Sequence, residues 1–411
     1  MQINTDSKKI NELLTRGVEQ IIEKESLRKK LKSGRQLRIK FGIDPTAPDI
    51  HLGNAVILWK LRDFQDLGHK IILIIGDFTA QIGDPTGKLS TRKMLTQQEI
   101  EENMKNYKNQ IGKILDVKKI KIVYNSDHLG KLTLADIYQI FHFFTANQIL
   151  ERDMFQEREK KGKPIWLHEF LYPIFQAYDS AAIKADVEIG GSDQLFNMTM
   201  GRQLQPHFGQ DPQDVMTMKL LIGTDGEKKM SKSVGNYIGI QESPEEQYGK
   251  IMSIKDELIL DYFELCTRIS LKKIKELEKD LKAKNVNPRD LKSRLAKKIV
   301  EIYHGKTAAK KAEKEFNRVF KEKKVPSKMP VFIVPQESYP VLKLLVELNL
   351  AQSKSEAKRL IEEGGVKIIK PTIDNKQLTI KLRDWKEEIK IQDEMILKVG
   401  KRKFAKIKKS S

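Results

Sequence analysis

The stretch Phe41-Gly-Ile-Asp-Pro-Thr-Ala-Pro-Asp-Ile-His-Leu-Gly-Asn54 decides the fold, because it joins a strand to a helix. Residues 37–43 have the apolar character of a strand, and apolar residues recur at helical spacing from Leu52 onwards. Two prolines place a loop between these elements. His51 and Asn54 are therefore predicted at a helix N-terminus, where unpaired backbone N–H groups and the helix dipole attract anions.

A second element lies far downstream, where a polar loop leads into Lys229-Met-Ser-Lys-Ser233. Lys229 and Lys232 can reach over a bound polyphosphate, and small neighbours such as Ser231 let the loop move. In the first element, Gly53 leaves room for a phosphate or a ribose. The first element alone is typical of an ordinary α/β crossover, but the two together resemble the HIGH and KMSKS motifs of class I aminoacyl-tRNA synthetases.

The composition narrows the class of protein. With 411 residues, the chain is long enough for two or three domains and a large core. It contains no apolar run of transmembrane length, and residues 1–40 are polar and mixed in charge, so we expect neither a membrane span nor a signal peptide. The single cysteine, Cys266, excludes an intrachain disulfide and a cysteine-rich zinc site. We therefore expect a cytoplasmic protein without a protein-held metal.

The net charge of +20 is concentrated towards the C-terminus. Residues 271–330 contain 20 basic and 8 acidic residues, and residues 396–411 contain 7 basic and no acidic ones. The remainder is almost neutral, which predicts a polyanionic partner for the C-terminal half. The alternative is a general lysine bias on solvated helices, but such a bias should also have affected the first part of the chain.

Strands and helices alternate after the first motif. Residues 71–75 and 120–124 are apolar runs typical of strands buried in a parallel sheet, and residues 214–222 are predicted to form the last strand. A capping box at Thr96 predicts a helix to about Leu115. Because right-handed crossovers place the loops after each strand at one edge, ligands should bind at the carboxyl ends of the strands.

Three other stretches carry less chemistry. Residues 1–36 are predicted to be a lead-in that is helical over 10–31. A mostly helical segment, 133–163, interrupts the alternation and indicates an insertion within about 127–170. The run Gly83–Lys88 is similar to a phosphate-binding P-loop, but its glycines are too close together and the lysine is followed by leucine, so we reject that interpretation.

A polar stripe predicts where a substrate binds. Tyr172, Gln176 and Asp179 are spaced to lie on one face of a helix, where polar residues usually face solvent. Here a strand, two glycines and a second helix follow, as in the first crossover. This arrangement places Asp193 and Gln194 to contact a ribose and a bound substrate.

These motifs together resemble the bacterial-type tyrosyl-tRNA synthetases, in the subgroup with a KMSKS-type loop. The resemblance covers most of the chain, and two motifs distinguish it from tryptophan-specific relatives: Tyr-x-x-x-Gln-x-x-Asp and Gly-Gly-Ser-Asp-Gln. It implies an α/β fold, a Rossmann-like doubly wound parallel sheet with a helical insertion, followed by an all-helical domain and a small α+β RNA-binding module. The corresponding boundaries are 1–36 for the lead-in, 37–240 for the catalytic domain, 241–325 for the helical anticodon-side domain, 326–335 for a linker and 336–411 for the RNA-binding module.

The resemblance also implies which residues bind each substrate. Asp179 would accept a hydrogen bond from the phenol hydroxyl of L-tyrosine. The rest of the amino acid would be held by Asp44, Asp84, Tyr172, Gln176 and Gln194. ATP would be contacted by Gly42, His51, Gly53, Asn54, Gly191, Asp193, Lys229, Ser231 and Lys232. The catalytic residues, which would stabilise the departing pyrophosphate, would be His51, Asn54, Thr46, Lys229 and Lys232.

Two positions depart from the family pattern. Asn54 stands where the family has the second histidine of HIGH, and its amide N–H can donate from a similar place. Lys40 stands where many members carry a tyrosine that also touches the substrate hydroxyl. Recognition of the hydroxyl would therefore depend more heavily on Asp179.

The implied reaction has two steps. The carboxylate of tyrosine attacks the α-phosphorus of ATP, Mg²⁺ accompanies the pyrophosphate that leaves, and the terminal ribose of tRNA(Tyr) then attacks the tyrosyl-adenylate. Phenylalanine would leave a buried carboxylate unpaired, which is energetically costly. The resemblance also implies that the protein forms a homodimer through the insertion.

Three alternatives remain at this point. A tryptophan-specific relative is disfavoured by Gln176 and Asp179. A small nucleotidyltransferase can share the His-x-Gly motif but lacks the downstream lysine loop. A catalytically silent RNA-binding paralogue should have lost Lys229, Lys232 or Asp193, and all three are present.

The C-terminal module is predicted from a capped basic helix. Ser353 precedes Lys354, Lys358 and Arg359, and short β-type runs follow as far as Val399. The pattern resembles the small RNA-binding module of ribosomal small-subunit proteins and pseudouridine synthases. The three basic residues should contact phosphates, which positions RNA without reading its sequence. The alternative is an ordinary solvated basic helix.

Overall fold

The computed structural model describes residues 3–45, 48–84, 96–322, 325–326, 329–371, 377–400 and 403–409. The chain forms two compact units, residues 1–313 and 314–411. The finer division of the first unit into a catalytic and a helical domain stays a prediction.

A six-stranded sheet forms the centre of the first unit. Its strands are β1 (Val18–Ile22), β2 (Arg38–Ile43), β3 (Lys70–Ile75), β4 (Lys121–Tyr124), β5 (Val187–Gly191) and β6 (Asp214–Met218). They lie in the order β1-β6-β5-β2-β3-β4, with β1 antiparallel to β6 and every other neighbouring pair parallel. From β2 the chain winds towards β4 on one side and towards β6 on the other. The crevice between β2 and β5 is therefore the place where doubly wound sheets bind ligands.

Helices surround this sheet. They are α1 (Ser7–Leu13), α2 (Lys24–Lys32), α3 (Leu52–Asp66), α4 (Thr79–Ile82), α5 (Gln97–Met104), α6 (Tyr107–Ile111), α7 (Ser126–Leu129), α8 (Leu134–Phe141), α9 (Ala146–Leu150), α10 (Asp153–Lys160), α11 (His168–Ile183), α12 (Leu195–Leu204), α13 (Pro244–Met252), α14 (Ile259–Cys266), α15 (Leu271–Lys282), α16 (Pro288–His304) and α17 (Lys306–Phe316). The predicted strand, loop and helix around His51 are confirmed as β2 and α3, and the insertion is helical as predicted.

The sequence explains why the sheet is central. All residues of β5 and β6 are buried, and in β3 only Lys70 is partly exposed, as expected for parallel strands covered on both faces. The polar stripe of α11 is buried at Tyr172 and Asp179, so the usual solvent-facing interpretation is wrong for these two residues. These side chains therefore face the interior beside the sheet.

Some predicted elements were wrong in their bounds. The lead-in is not helical throughout 10–31, because Gly17 turns with a positive φ and the β-branched residues after it pair with β6 as strand β1. The helix after Thr96 has the predicted capping box but is interrupted between α5 and α6. The last strand ends at Met218 rather than at residue 222, where only an isolated bridge between Ile222 and Lys229 continues the pattern. The rejected P-loop falls largely outside the described residues.

The second unit is an α+β module. Its strands are β7 (Val331–Val334), β8 (Ser338–Pro340), β9 (Val366–Pro371), β10 (Gln377–Lys381), β11 (Glu388–Lys390), β12 (Ile396–Val399) and β13 (Lys403–Lys409), and its helices include α18 (Val341–Glu347) and α19 (Lys354–Glu362). Five strands form a sheet in the order β10-β9-β12-β13-β7, and β8 pairs with β11. Strand β7 lies within 326–335, so these residues are not wholly an unstructured linker. Apolar residues from α18, α19 and the strands form the core of this unit.

Among the described residues, no helix combines the length and the apolar character needed to cross a membrane.

Candidate active site

A cleft opens at the carboxyl edge of the first sheet, between the loops that follow β2 and β5. Its volume of about 330 Å³ lies in the range of small-molecule sites. The predicted site residues that line it are Gly42, Asp44, His51, Gly53, Asn54, Asp84, Tyr172, Gln176, Asp179, Gly191, Asp193, Gln194, Lys229 and Ser231. Lys232 lies beside the cleft rather than in its lining, and Thr46 lies outside the described residues.

His51 forms the N-cap of α3. Its Nδ1 accepts a hydrogen bond from the backbone N–H of Asn54 at 3.3 Å. Burial and the nearby charges of Lys232 and Lys229 lower the pKa of His51 to about 4, so the ring is neutral near pH 7. Because Nδ1 is an acceptor, the remaining proton lies on Nε2. His51 is therefore a neutral hydrogen-bond donor at the rim of the cleft.

Asn54 completes the same capping box. Its Oδ1 accepts from the backbone N–H of His51 at 3.3 Å, which leaves the Nδ2 end of the amide as the donor. Gly53 lies between the two, and a Cβ added there would come within 3.0 Å of the His51 ring. The backbone at this helix N-terminus is therefore accessible only because residue 53 is a glycine.

The lysine loop lies against this helix N-terminus. Lys229 Nζ lies 2.5 Å from Asp193 Oδ2, and Lys232 Nζ donates to the backbone carbonyl of Asp49. Burial lowers the pKa of Lys232. Asn236 holds the loop in shape, since its Nδ2 donates to the carbonyls of Lys228 and Lys229 and its Oδ1 accepts from a loop N–H. Sequence reasoning missed Asn236, which lies three residues after the end of the motif.

Asp44, elsewhere in the cleft lining, is partly buried and accepts two hydrogen bonds. Tyr172 Oη donates to Asp44 Oδ2 at 2.8 Å, and Thr79 Oγ1 donates to Asp44 Oδ1 at 2.9 Å. Burial outweighs these hydrogen bonds and raises the pKa of Asp44 to about 7. Burial, together with the charge of Asp44, also raises the pKa of Tyr172, so the phenol stays protonated. A Cβ at Gly76 would overlap Asp44 Oδ1, so the glycine makes room for this carboxyl group.

Asp179 is held by two residues that sequence reasoning missed. His128 Nε2 lies 2.6 Å from Asp179 Oδ1, and Asn125 Nδ2 lies 3.5 Å from Asp179 Oδ2. Asn125 also donates to Thr79, which connects Asp179 to the hydrogen bonds of Asp44. Both missed residues directly follow β4, so the rule that ligand sites lie at the carboxyl ends of parallel strands could have found them.

A chain of amides lines the wall between β5 and α11. Asn197 Nδ2 donates two hydrogen bonds, one to Gln176 Oε1 at 3.0 Å and one to Gln194 Oε1 at 3.1 Å. Gln194 in turn donates to Asp84 Oδ2 at 2.6 Å. Arg152, whose side chain is buried, lies 3.8 Å from Asp84. Both ends of the Gln176 and Gln194 amides are therefore paired, which fixes their orientation, whereas Asn197 Oδ1 is buried without a hydrogen-bond partner among the described residues.

Lys40 does not line the cleft. Its ammonium lies behind the wall, 2.9 Å from Glu188 Oε1, and both side chains are buried. The position that carries a hydroxyl-contacting tyrosine in many family members thus holds a buried ion pair here. Glu188 itself reaches the cleft lining.

Within the described part of the chain, no group of three or more His, Cys, Asp or Glu side chains is arranged to hold a metal ion.

The predicted RNA-contacting residues lie on α19 in the second unit. Lys354, Lys358 and Arg359 are all exposed. Lys358 Nζ lies 4.5 Å from the centre of the Trp385 ring. Lys358 and Arg359 each also form an ion pair of 3.9 Å with a glutamate four residues further along the chain. Ser353 caps the helix as predicted. This surface is basic and accessible.

Comparison with known proteins agrees with the fold. The family described as tRNA synthetases class I (W and Y) matches residues 32–321. A tyrosine–tRNA ligase of Thermotoga maritima is 50% identical over 96% of this chain and 96% of its own. That of Carboxydothermus hydrogenoformans is 49% identical over 96% of this chain and 97% of its own. The chain therefore belongs to the class I tRNA synthetases of the tryptophan and tyrosine type and, among them, to the tyrosine–tRNA ligases.

Solved structures show the same architecture. The tyrosyl-tRNA synthetase of Archaeoglobus fulgidus complexed with L-tyrosine has a TM-score of 0.61, with 27% identity over 75% of this chain and 99% of that one. The truncated mitochondrial enzyme of Aspergillus nidulans has a TM-score of 0.63 and 21% identity over 76% of this chain and 94% of that one. The second likeness concerns the fold alone.

Proposed function

We propose that the protein activates L-tyrosine with ATP and transfers the tyrosyl group to tRNA(Tyr). One observation carries this proposal: a buried carboxylate, Asp179, lies at one end of a cleft whose other end holds His51, Asn54 and the lysine loop. The first end suits a phenol hydroxyl, and the second suits a triphosphate. The cleft thus has separate places for an amino acid and a nucleotide.

Asp179 accepts the phenol O–H of tyrosine in this proposal. His128 and Asn125 donate to the carboxylate and fix its direction, so an acceptor remains aimed at the substrate. Phenylalanine offers no donor and would leave the buried carboxylate without this partner. Lys40 takes no part in this contact, because its ammonium is bound to other groups.

The ammonium of tyrosine binds among Tyr172, Gln176 and Asp84. Asp44 supports Tyr172 through the 2.8 Å hydrogen bond. Gln194 is tied to Asp84, and we place it on the carboxylate side of the substrate. This arrangement directs the carboxylate of tyrosine towards the nucleotide end of the cleft.

ATP binds over the start of α3 and the turn after β5. The ribose lies against Gly191 and Asp193, and the phosphates approach Gly42, Gly53 and the N–H groups of the helix. Binding requires Lys229 to leave Asp193 and move to the phosphates, because one carboxylate oxygen of Asp193 is held by the lysine. Ser231 lies in the same loop, and Thr46 is proposed to lie near the γ-phosphate.

The chemistry needs charge stabilisation rather than a protein nucleophile. The tyrosine carboxylate attacks the α-phosphorus in line, and negative charge grows on the leaving pyrophosphate. Lys229, Lys232, the neutral Nε2–H of His51 and the Nδ2–H of Asn54 stabilise that charge. Mg²⁺ enters with ATP as part of the substrate and leaves with pyrophosphate. In the second step, the terminal ribose hydroxyl of the tRNA attacks the tyrosyl carbonyl and AMP leaves.

The exposed residues of α19 bind phosphates of tRNA(Tyr). Lys358 and Arg359 form exposed pairs of 3.9 Å with glutamates, which a phosphate can replace, and Lys354 is exposed on the same helix. Such contacts position the tRNA without reading bases. A cytoplasmic location follows from this function.

The insertion forms a homodimer contact in this proposal. Four large apolar side chains in it are more than half exposed, which is unusual for a monomer: Leu134, Tyr138, Trp166 and Leu167. Leu134 and Tyr138 lie one turn apart on one face of α8. Sedimentation should find a dimer, and replacement of both residues by glutamate should give a monomer; a wild-type monomer would contradict this contact.

The whole proposal is tested by charging of tRNA(Tyr) with labelled tyrosine. The full chain should form tyrosyl-tRNA, and a variant lacking residues 331–411 should still form tyrosyl-adenylate but charge tRNA poorly. Charging that is unchanged by the deletion would contradict an RNA role for the second unit. Charging with tryptophan in place of tyrosine would contradict the assigned amino acid.

A further inference from the structure

Lys40 and Glu188 form a buried ion pair at the wall of the cleft, in which Glu188 reaches the lining and Lys40 lies behind it. They are paired residues on the neighbouring strands β2 and β5, at the point where the winding of the sheet reverses. Their side chains are 0% and 2% exposed, and Lys40 Nζ lies 2.9 Å from Glu188 Oε1. Each charge is therefore removed from water and compensated mainly by the other.

The hydrogen bonds of this pair are saturated. Lys40 Nζ also donates to the backbone carbonyl of Gln176 at 2.8 Å and to Ser180 Oγ at 2.7 Å, which uses all three N–H groups. Glu188 Oε2 accepts from Ser180 Oγ at 3.0 Å and from Gln213 Nε2 at 2.6 Å. The pair is therefore fixed in position on the side away from the cleft.

On the cleft side, the pair acts on one side chain. Gln176 Nε2 donates to Glu188 Oε1 at 3.1 Å. An ionised carboxylate can only accept, so it fixes which end of the Gln176 amide is the NH₂ end. The other end, Oε1, accepts from Asn197 and retains a second lone pair at the cleft. A substrate ammonium group offers only donors and needs this acceptor end.

We propose that Lys40 and Glu188 are positioning residues for amino-acid recognition: the ion pair holds the Gln176 amide with Oε1 towards the cleft, where it accepts a hydrogen bond from the substrate ammonium. The proposal rests on the role given above to Gln176. It goes beyond that role because it assigns a task to two residues that do not touch the ammonium. It also explains why a lysine is compatible with tyrosine recognition at position 40.

The test is direct binding of two ligands measured by calorimetry. L-Tyrosine carries the ammonium, whereas 3-(4-hydroxyphenyl)propionate keeps the phenol and the carboxylate but lacks the ammonium. In the double variant Lys40→Met/Glu188→Met, the buried charges are removed together, which avoids leaving one of them unpaired. We expect tyrosine to bind roughly 10- to 100-fold more weakly, while binding of the propionate is unchanged.

A second variant is expected to have an intermediate effect on tyrosine affinity. In Lys40→Met/Glu188→Gln, the new amide can accept from Gln176 or donate to it, so the orientation is favoured less strongly. Its affinity for tyrosine should lie between those of the wild type and the Met/Met variant. A matched control is Arg158→Met/Glu169→Gln, which removes a buried ion pair that does not line the cleft, and it should leave both affinities unchanged.

Equal weakening of both ligands in folded variants would show a purely structural role and overturn the proposal, as would unchanged tyrosine binding. Folding is checked by the circular dichroism and thermal unfolding of each variant. Tyrosine-dependent pyrophosphate exchange by the wild type separates this result from the proposed function. If exchange is present but the two ligands respond alike, only the positioning role fails; if the wild type neither exchanges nor binds tyrosine, both proposals fail.

Discussion

The cleft of the first unit and the α19 surface of the second unit use charge in opposite ways. In the cleft, Asp179 is buried and Asp44 is partly buried, and neighbouring side chains donate hydrogen bonds to both, so their positions are fixed before a ligand arrives. On α19, Lys358 and Arg359 are exposed and form ion pairs of 3.9 Å with Glu362 and Glu363, and Lys358 also lies over the Trp385 ring. Buried charges gain strength from the low dielectric and lose much when a partner is removed, whereas exposed pairs contribute little.

This difference in burial determines which ligands each region can recognise. A fixed, buried set of donors and acceptors can discriminate between ligands that differ by one hydroxyl group. An exposed set of cations attracts any phosphate backbone and responds to salt. We therefore expect substitutions in the cleft to change rate and selectivity, and substitutions on α19 to change the salt-dependent affinity for tRNA.

The largest effect is expected at the lysine loop. Lys232→Ala should lower the rate of tyrosyl-adenylate formation about 100- to 1000-fold, because one preorganised donor to the leaving group is lost. The affinity for tyrosine, measured by equilibrium dialysis, should stay unchanged. Lys228→Ala is the matched control, since that side chain is exposed on the same loop and does not line the cleft. Equal losses in rate and in tyrosine affinity would contradict a transition-state role for Lys232.

The next effect is expected at the hydroxyl-binding end. Asp179→Asn should raise KM for tyrosine roughly 10- to 100-fold, because a charged acceptor for the phenol is lost and His128 loses its carboxylate partner. Binding of phenylalanine should change much less, so selectivity falls. The exposed Asp211→Asn variant is the control. A variant that keeps full selectivity for tyrosine would show that hydroxyl recognition lies elsewhere.

On the α19 surface, a smaller and salt-dependent effect is expected. The variant Lys354→Ala/Lys358→Ala/Arg359→Ala should weaken tRNA binding and make its dependence on the logarithm of salt concentration shallower, by about one unit of slope for each lost phosphate contact. Pyrophosphate exchange without tRNA should be unchanged. The control Lys24→Ala/Lys29→Ala/Lys32→Ala removes the same charge from exposed positions of α2. Equal slopes for the two variants would contradict specific contact by α19.

The smallest effect concerns stability and pH. The pKa of Asp44 is about 7 in the folded chain against 3.8 as its ordinary value, so the native state holds an extra proton between these pH values. The free energy of unfolding should therefore fall as pH rises through this window, by at most about 1.4 kcal/mol per pH unit, and level off above pH 7. Asp44→Asn should lack this contribution. Urea unfolding of both proteins from pH 5 to pH 8 measures the difference, and parallel pH profiles would contradict a raised pKa.

Much of the fold was accessible from the sequence because local signals agreed with the tertiary structure. The apolar run of β3, the capped start of α3 and the basic helix α19 each follow from spacing and capping chemistry. Strand β1 could not be predicted in this way, because its five residues form a strand through pairing with β6, which is far away in sequence.

The candidate site could be predicted from the sequence to a similar degree. Motifs indicated most of the predicted residues that line the cleft, but not the residues that hold them in place. His128, Asn125 and Glu188 act through contacts between different elements, and only the position of Asn125 and His128 after β4 could have indicated any of the three. Lys40 illustrates the limit most clearly, since its partner became evident only when β2 and β5 lay side by side.

The central claim is that the cleft of the first unit selects and activates tyrosine without help from tRNA. Its most direct test is exchange of labelled pyrophosphate into ATP, with tyrosine, phenylalanine and tryptophan in parallel and no tRNA added. We expect exchange with tyrosine and none above background with phenylalanine or tryptophan. Absence of exchange with every amino acid, or exchange that does not distinguish tyrosine from phenylalanine, would contradict it.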